Sequence, residues 1–258
     1  MKKSRINAGR KESRMERIQN VLQSAGIAVS GQQLEQLNDY YQMVIETNQV
    51  MNLTAITEKE EFILLHYLDS LAPLYAAPEL KPLFGIPGKE SVRMIDVGTG
   101  AGFPGIPLKI ICPALEVTLL DSLQKRVHFL DKVIGALSLS GITAIHSRAE
   151  DAARVPGLRD SFDLAVSRAV ANLSALSEYV LPFVKPGGTF LAYKSGEVRE
   201  ELASARNAIR LLGGEAEAPV SVTLPDSDVA RTFVPIRKGK PTPKAYPRKA
   251  GTAKKQPL

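Results

Sequence analysis

A single cysteine, three histidines and no apolar stretch near the ~20 residues of a membrane span are what this chain of 258 residues conspicuously lacks. Each scarcity excludes a class of protein. Cys112 alone cannot build an intrachain disulfide framework, and it follows the apolar "LKII" of an expected helix, where a small buried residue is the plain reading. His66, His128 and His146 stand far apart, and without an HxxxH or CxxC pair the expectation is that no metal is bound. The opening "MKKSRINAGRKESRMERIQN" has no apolar block of a secretory kind, so a cytoplasmic protein with no membrane partner is expected. Aromatic residues make up only 6%, too few to suggest a base-stacking platform. What remains, 44% hydrophobic and 23% charged, is the composition of one large globular domain with an appendage.

The net charge of +6 is unevenly spread. Residues 1–20 carry seven Lys/Arg against two Glu, and residues 237–258 carry eight Lys/Arg and no acid, which leaves the body between them at −7. Basicity therefore belongs to the ends, as solubilising extensions or as arms that neutralise nucleic-acid phosphates. Four regions follow: a basic extension over 1–29, a helical subdomain over 30–90, an α/β domain over 91–238, and a Pro/Lys-rich tail over 239–258 whose composition predicts disorder.

In the helical region, Leu34, Leu37, Tyr41, Val44 and Ile45 recur at helical spacing, with Ser30 and Gln33 placed as a capping box. A second helix is expected in "EKEEFILLHYLDSLAPLY", and the prolines and glycines of 78–91 mark a connection. Thereafter short apolar runs at 92–97, 115–120, 142–146, 162–166 and 188–193 alternate with amphipathic helices. That rhythm predicts a parallel sheet with crossover helices. The last two candidate strands, near 216–224 and 231–237, have no helix between them, which predicts an antiparallel end to the sheet.

The first strand runs into "MIDVGTGAGFPGIP". Gly98, Gly100, Gly102 and Gly105 let the chain turn sharply and let a ligand approach main-chain amides at a helix start. The spacing GxGxxG by itself also suits a dinucleotide. Asp96, at the strand end, weighs against that, because a carboxylate beside the loop repels a pyrophosphate and suits a cationic ligand without phosphate, such as S-adenosylmethionine. Asp121, at the end of the next strand, is placed to accept hydrogen bonds from a ribose in either case.

Together "DVGTGAGFPGIPL", "LLDSLQKRVHFL", "SRAED", "FDLAVSRAVANL" and "YVLPFVKPGGTFLAYKS" resemble the bacterial ribosomal small-subunit RNA guanine-N7 methyltransferases, also called the glucose-inhibited division protein B family. The resemblance covers roughly residues 30–238. It implies a class I S-adenosylmethionine-dependent methyltransferase fold, Rossmann-like, with a mostly parallel seven-stranded sheet whose last strand is antiparallel. It also implies that Gly98 and Phe103 flank the cofactor, that Asp121 and Ser122 approach its ribose, that Ala149 and Glu150 sit beside the adenine, and that Arg168 lies next to the methyl group. The implied substrate is the 530 loop of 16S ribosomal RNA, free or in the 30S ribosomal subunit.

Guanine N7 carries a lone pair and no proton, so transfer to it needs alignment rather than a general base. The sequence accords with this: no (Asn/Asp)-Pro-Pro-aromatic motif for exocyclic amines is present, and Cys112 lies in the wrong segment to attack a pyrimidine. No catalytic acid or base is assigned, and Arg168, Lys194 and Arg231 are the positioning candidates. A non-catalytic RNA-binding factor and a methyltransferase of small molecules or proteins stay open as other readings, although an intact loop with both Asp96 and Asp121 weighs against the first.

Overall fold

The computed structural model describes residues 15–86, 88, 91–168 and 171–258. The most basic part of the expected N-terminal extension, before position 15, lies outside the described residues. Its remainder folds: helix α1 (Glu16–Ser24) buries Ile18 and Leu22 completely. Helix α2 (Gly31–Asn48) starts at the expected capping box, in which Gln33 N donates to Ser30 Oγ at 3.2 Å and Ser30 N donates to Gln33 Oε1 at 2.8 Å. Helices α3 (Lys59–Phe62) and α4 (Asp69–Tyr75) are joined by a wider π-helical turn, Ile63–Leu68. A 3-10 turn over Pro78–Phe84 then leads to the sheet.

Strand and helix alternate from there: β1 (Arg93–Val97), α5 (Gly105–Ile111), β2 (Glu116–Asp121), α6 (Gln124–Ala136), β3 (Ile142–His146), α7 (Ala149–Ala152), β4 (Phe162–Arg168), α8 (Leu173–Val180), β5 (Val184–Ser195) and α9 (Arg199–Leu211). The strands β6 (Gly214–Ala216), β7 (Val220–Thr223) and β8 (Ala230–Lys238) complete the sheet, and α10 (Thr252–Lys255) follows. The order is β3-β2-β1-β4-β5-β8-β6, with β7 also paired to β8. The first five strands are parallel and β8 runs antiparallel to β5. Because β6 and β7 pair with successive parts of β8, eight strands fill the seven positions of the class I methyltransferase arrangement.

Successive strand residues alternate between two cores. Met94, Leu164, Val166, Leu191 and Tyr193 face the helical region with α2, α4 and α5, whereas Ile95, Ala165, Phe190 and Ala192 face α8 and α9. A side chain buried this way is worth about 1.5–3 kcal/mol, which is why the register cannot slip. The helical region thus shares its core with one sheet face, and this brings α4 to the carboxyl ends of the strands. The order in which strands are added to the sheet reverses between the parallel neighbours β1 and β4, so the crevice where open α/β sheets bind ligands lies between Val97 and Arg168.

The tail corrects the expectation of disorder. Residues 239–258 lie against the body, with Thr242, Pro247 and Ala253 buried and Leu258 half-buried. Composition alone missed this because the tail is held by polar groups of the body, not by a hydrophobic run of its own. Arg159 donates to the carbonyls of Thr242 at 2.7 Å and Tyr246 at 3.0 Å, and Arg248 forks onto Glu178 of α8.

Candidate active site

The loop after β1 is fastened to β2: Gly98 N and Thr99 N both donate to Leu120 O, at 2.8 and 3.1 Å. Two of its glycines are required by close approach. A Cβ on Gly102, where φ is +107°, would lie 2.7 Å from the Tyr40 hydroxyl, and one on Gly105 would run into Leu119 and lie 2.9 Å from Asp96 Oδ2. Tyr40, fully buried in α2, reaches the same loop by donating to Ala101 O at 2.5 Å. The helical region thereby sets the loop from one side and β2 from the other.

Asp96 departs from expectation. It does not line the crevice but lies fully buried beneath the loop, where Oδ2 accepts from Thr99 Oγ1 at 2.7 Å and from Gly105 N at 2.9 Å. Its Oδ1 is shut off from solvent and has no partner among the described residues. Burial pushes the carboxyl up to about 6, against the lowering effect of the Thr99 and Gly105 bonds. An orphaned acceptor under the loop suits a ligand that brings positive charge to the other side.

Asp121 stands where the sequence placed it. Its Oδ2 accepts from Gly100 N and its Oδ1 from Leu123 N, both at 2.9 Å, with the Arg126 guanidinium 3.4 Å away. Each carboxylate oxygen has two lone pairs, so acceptor capacity remains for a ligand's hydroxyl pair. Gly98, Asp121, Ser122, Ala149, Glu150 and Arg168 line one cavity of about 580 Å³, within the usual range for a small-molecule site. Gly100 and Gly102 shape the loop without lining it. Two carboxylates, a glycine loop and the buried Asp96 fit a cationic nucleoside such as S-adenosylmethionine.

At the end of β4 the chemistry changes. Arg168 donates to Leu65 O at 3.0 Å, to Asp69 Oδ2 at 2.9 Å and to His66 Nδ1 at 3.0 Å. Asp69, 2% exposed at the start of α4, also receives Arg231 through Oδ1 at 2.8 Å. Since Arg168 can only donate, His66 Nδ1 is an acceptor, and the proton sits on Nε2, 2.7 Å from Thr54 Oγ1. Burial first, and the Arg168 charge second, push the imidazole down to about 3, so it is neutral. The π-turn matters here: it carries both Leu65 O and His66 to the guanidinium.

Phe103 also departs from expectation. Its ring does not line the cavity but stacks on His66, with centroids 4.5 Å apart and planes 10° from parallel, inside a cluster with Tyr40, Phe62 and Tyr67. The Arg168 guanidinium lies 5.3 Å from that ring, so Phe103 touches the site through the arginine. Lys194 is not brought into the cluster. It donates to Glu201 Oε1 at 2.6 Å and to Ala171 O at 3.1 Å, tying β5 to α9. Arg168 and Arg231 were expected from the sequence, but their shared partner Asp69 was not. The available signal was His66 and Asp69, three apart within the largely apolar "FILLHYLDSL". Tyr179, Gly251 and Lys254, which also line the cavity, had no such signal.

Residues 33–229 match the family model described as rRNA small subunit methyltransferase G. The Ribosomal RNA small subunit methyltransferase G of Lachnoclostridium phytofermentans is 50% identical over 237 residues, 92% of this chain and 94% of that one. The protein of the same name from Limosilactobacillus reuteri is 45% identical over 244 residues, 94% of this chain and 98% of that one. Among solved structures, a SAM dependent methyltransferase from Aquifex aeolicus aligns with a TM-score of 0.46 and 19% identity, over 64% of this chain and 92% of that one.

Proposed function

Because the chain belongs to the rRNA small subunit methyltransferase G family, we propose that it methylates N7 of a guanine in the 530 loop of 16S ribosomal RNA without a general base. At the coarser level it is a methyltransferase of small-subunit ribosomal RNA. S-adenosylmethionine, when bound, supplies an electrophilic methyl group on a sulfonium. Asp121 and Glu150 would hold its nucleoside and the loop over Asp96 its charged end.

The observation that carries the N7 reading is that, among the described residues, no group near Arg168 is poised to take a proton from the cavity, Asp96 being sealed beneath the loop and off the cavity wall. Both nitrogens of His66 are engaged and its basicity is low. Both Asp69 oxygens receive guanidinium groups. Tyr40, Tyr67 and Tyr193 are buried, which pushes their hydroxyls well above the usual tyrosine range. Such a site can orient a nucleophile that has no proton to lose, and guanine N7 is one. Arg168, held by three fixed acceptors, presents a rigid planar face beside the cavity.

The base edge bearing N7 is inaccessible in the deep groove of an A-form duplex, so a loop or splayed strand is the substrate form. The acidic body leaves the attraction of RNA to exposed basic residues such as those of the two ends. The 16S ribosomal RNA, or the 30S subunit that contains it, is then the partner, in the cytoplasm. The test is to incubate the protein with labelled S-adenosylmethionine and either naked 16S RNA or 30S subunits, then cleave the RNA at N7-methylguanine. Label confined to one guanine of the 530 loop is expected. Label at another atom, or spread over other RNA regions, sinks the reading.

A further inference from the structure

The C-terminal segment is not needed to complete the sheet, since β8 ends at Lys238, yet it is tied down along its whole length. Lys238, fully buried, donates to Thr242 Oγ1 at 2.7 Å and to Asp160 Oδ1 at 3.1 Å where the segment begins. Arg159 holds the carbonyls of Thr242, Pro243 and Tyr246, and Arg154 holds that of Pro247. Arg248 then makes the strongest attachment. Its Nε and Nη2 fork onto the Glu178 carboxylate at 2.7–3.1 Å, and its own backbone N–H donates to the same group at 2.7 Å. Glu178 is 1% exposed, so it depends on this arginine for its only counter-charge among the described residues. At the far end Ser174 Oγ donates to Leu258 O at 3.0 Å.

These attachments deliver Gly251 and Lys254 to the wall of the cavity that Asp121 and Glu150 line. Gly251 N donates to Glu150 Oε1 at 2.9 Å, and Gly251 holds a left-handed φ of +81° to do so. The amide of Lys254 lies against the Tyr179 hydroxyl, another wall group. Glu150 is 8% exposed and, among the described residues, Gly251 N is the one donor to its carboxylate. One oxygen is thus fixed by the segment, and the other keeps its full acceptor capacity.

We propose that residues 246–254 are a built-in strap that completes the cofactor cavity, with Gly251 as the positioning group for Glu150 and Lys254 as a wall residue, and that the strap sets the affinity for the adenine nucleoside half of the cofactor. The proposal rests on the assignment of this cavity to S-adenosylmethionine. The exposed lysines of the segment that lie off the cavity wall, Lys240, Lys244, Lys249 and Lys255, stay free to attract RNA, a role separate from the strap's.

The test compares the full chain with a chain ending at Lys244 that also carries Glu178→Gln, so that the loss of Arg248 leaves no unpaired charge at Glu178 and the loss at Glu150 is read alone. Calorimetric titration with S-adenosylmethionine and with 5′-methylthioadenosine is expected to show the same loss for both, at least about tenfold, because the lost hydrogen bond to a charged group acts on the shared nucleoside. In methyl transfer, KM for the cofactor rises by that factor while kcat at saturation changes less than about twofold. Should the shortened chain not fold, Gly251→Val and Lys254→Ala in the full chain decide instead, and unchanged affinity of both for 5′-methylthioadenosine overturns the strap. So does a shortened, folded chain that binds the cofactor normally and loses only RNA. A full chain that ignores S-adenosylmethionine refutes the cavity assignment itself, which is a separate failure.

Discussion

At the Asp121 end of the crevice the carboxylates are held by main-chain amides, whereas at the Arg168 end the side chains are held by one another across 99 to 162 residues of sequence. The difference lies in what each can lose. Removing one ligand contact at Asp121 or Glu150 leaves the backbone donors with access to water. Removing one member at the Arg168 end leaves buried charge without its partner, so that network should fail as a unit.

Asp69→Ala should therefore have the largest effect. It strips two guanidinium groups of their shared counter-charge, which should cost about 3–5 kcal/mol in urea unfolding. The misplaced Arg168 should lower methyl transfer at least about a hundredfold. A loss no greater than that of an exposed ion pair would break the contrast between the two ends. Arg168→Lys keeps the charge but cannot reach Leu65 O, Asp69 and His66 together. It should lower kcat by roughly tenfold or more with cofactor affinity nearly unchanged.

At the other end, Asp121→Asn should weaken S-adenosylmethionine binding by about 1.5–3 kcal/mol in calorimetry, with little change in melting temperature. A large fall in stability would show that this end is coupled too. A pH titration sharpens the comparison further. With a folded value of about 3, His66 lies below its usual 6.5, so the unfolded chain takes up its proton first. The stability from neutral His66 is full above pH 6.5 and drains away as the pH falls toward 3. Asp96 acts in the opposite sense: raised to about 6 from 3.8, it costs stability above pH 6, and that cost eases as the pH falls toward 4. Urea midpoints should show His66→Gln flattening the acid limb, and Asp96→Asn gaining stability at pH 8 relative to pH 4. The smallest effect belongs to Lys194→Ala, which loosens a partly exposed pair with Glu201 outside the cluster. It should cost about 0–1 kcal/mol and leave methyl transfer within about twofold.

The strands were legible because their signal is local. Buried runs such as "ITAIH" and "FDLAV" are bounded by turn residues, and β3 and β4 start where those runs do. The Ser30/Gln33 capping box was legible for the same reason. Of the site, Gly98, Asp121, Ser122, Ala149, Glu150 and Arg168 could be named because each ends or follows a strand in one of the motifs carrying the resemblance, and strand ends converge on one crevice in this topology. Asp69, His66 and Thr54 could not be named, since nothing in a helix pattern says which strand end its polar residues will meet.

By itself, then, the sequence determined the alternation of strand and helix and the glycine loop, because periodicity and backbone freedom act over a few residues at a time. Only the tertiary structure decided that Asp96 turns beneath the loop and that Phe103 stacks on His66. The same holds for the pairing of Arg168 with Arg231 through Asp69, and for the basic tail lying along the body. Each of those outcomes depends on desolvation and on charge pairing between segments far apart in the chain, and such energies do not exist until the segments meet.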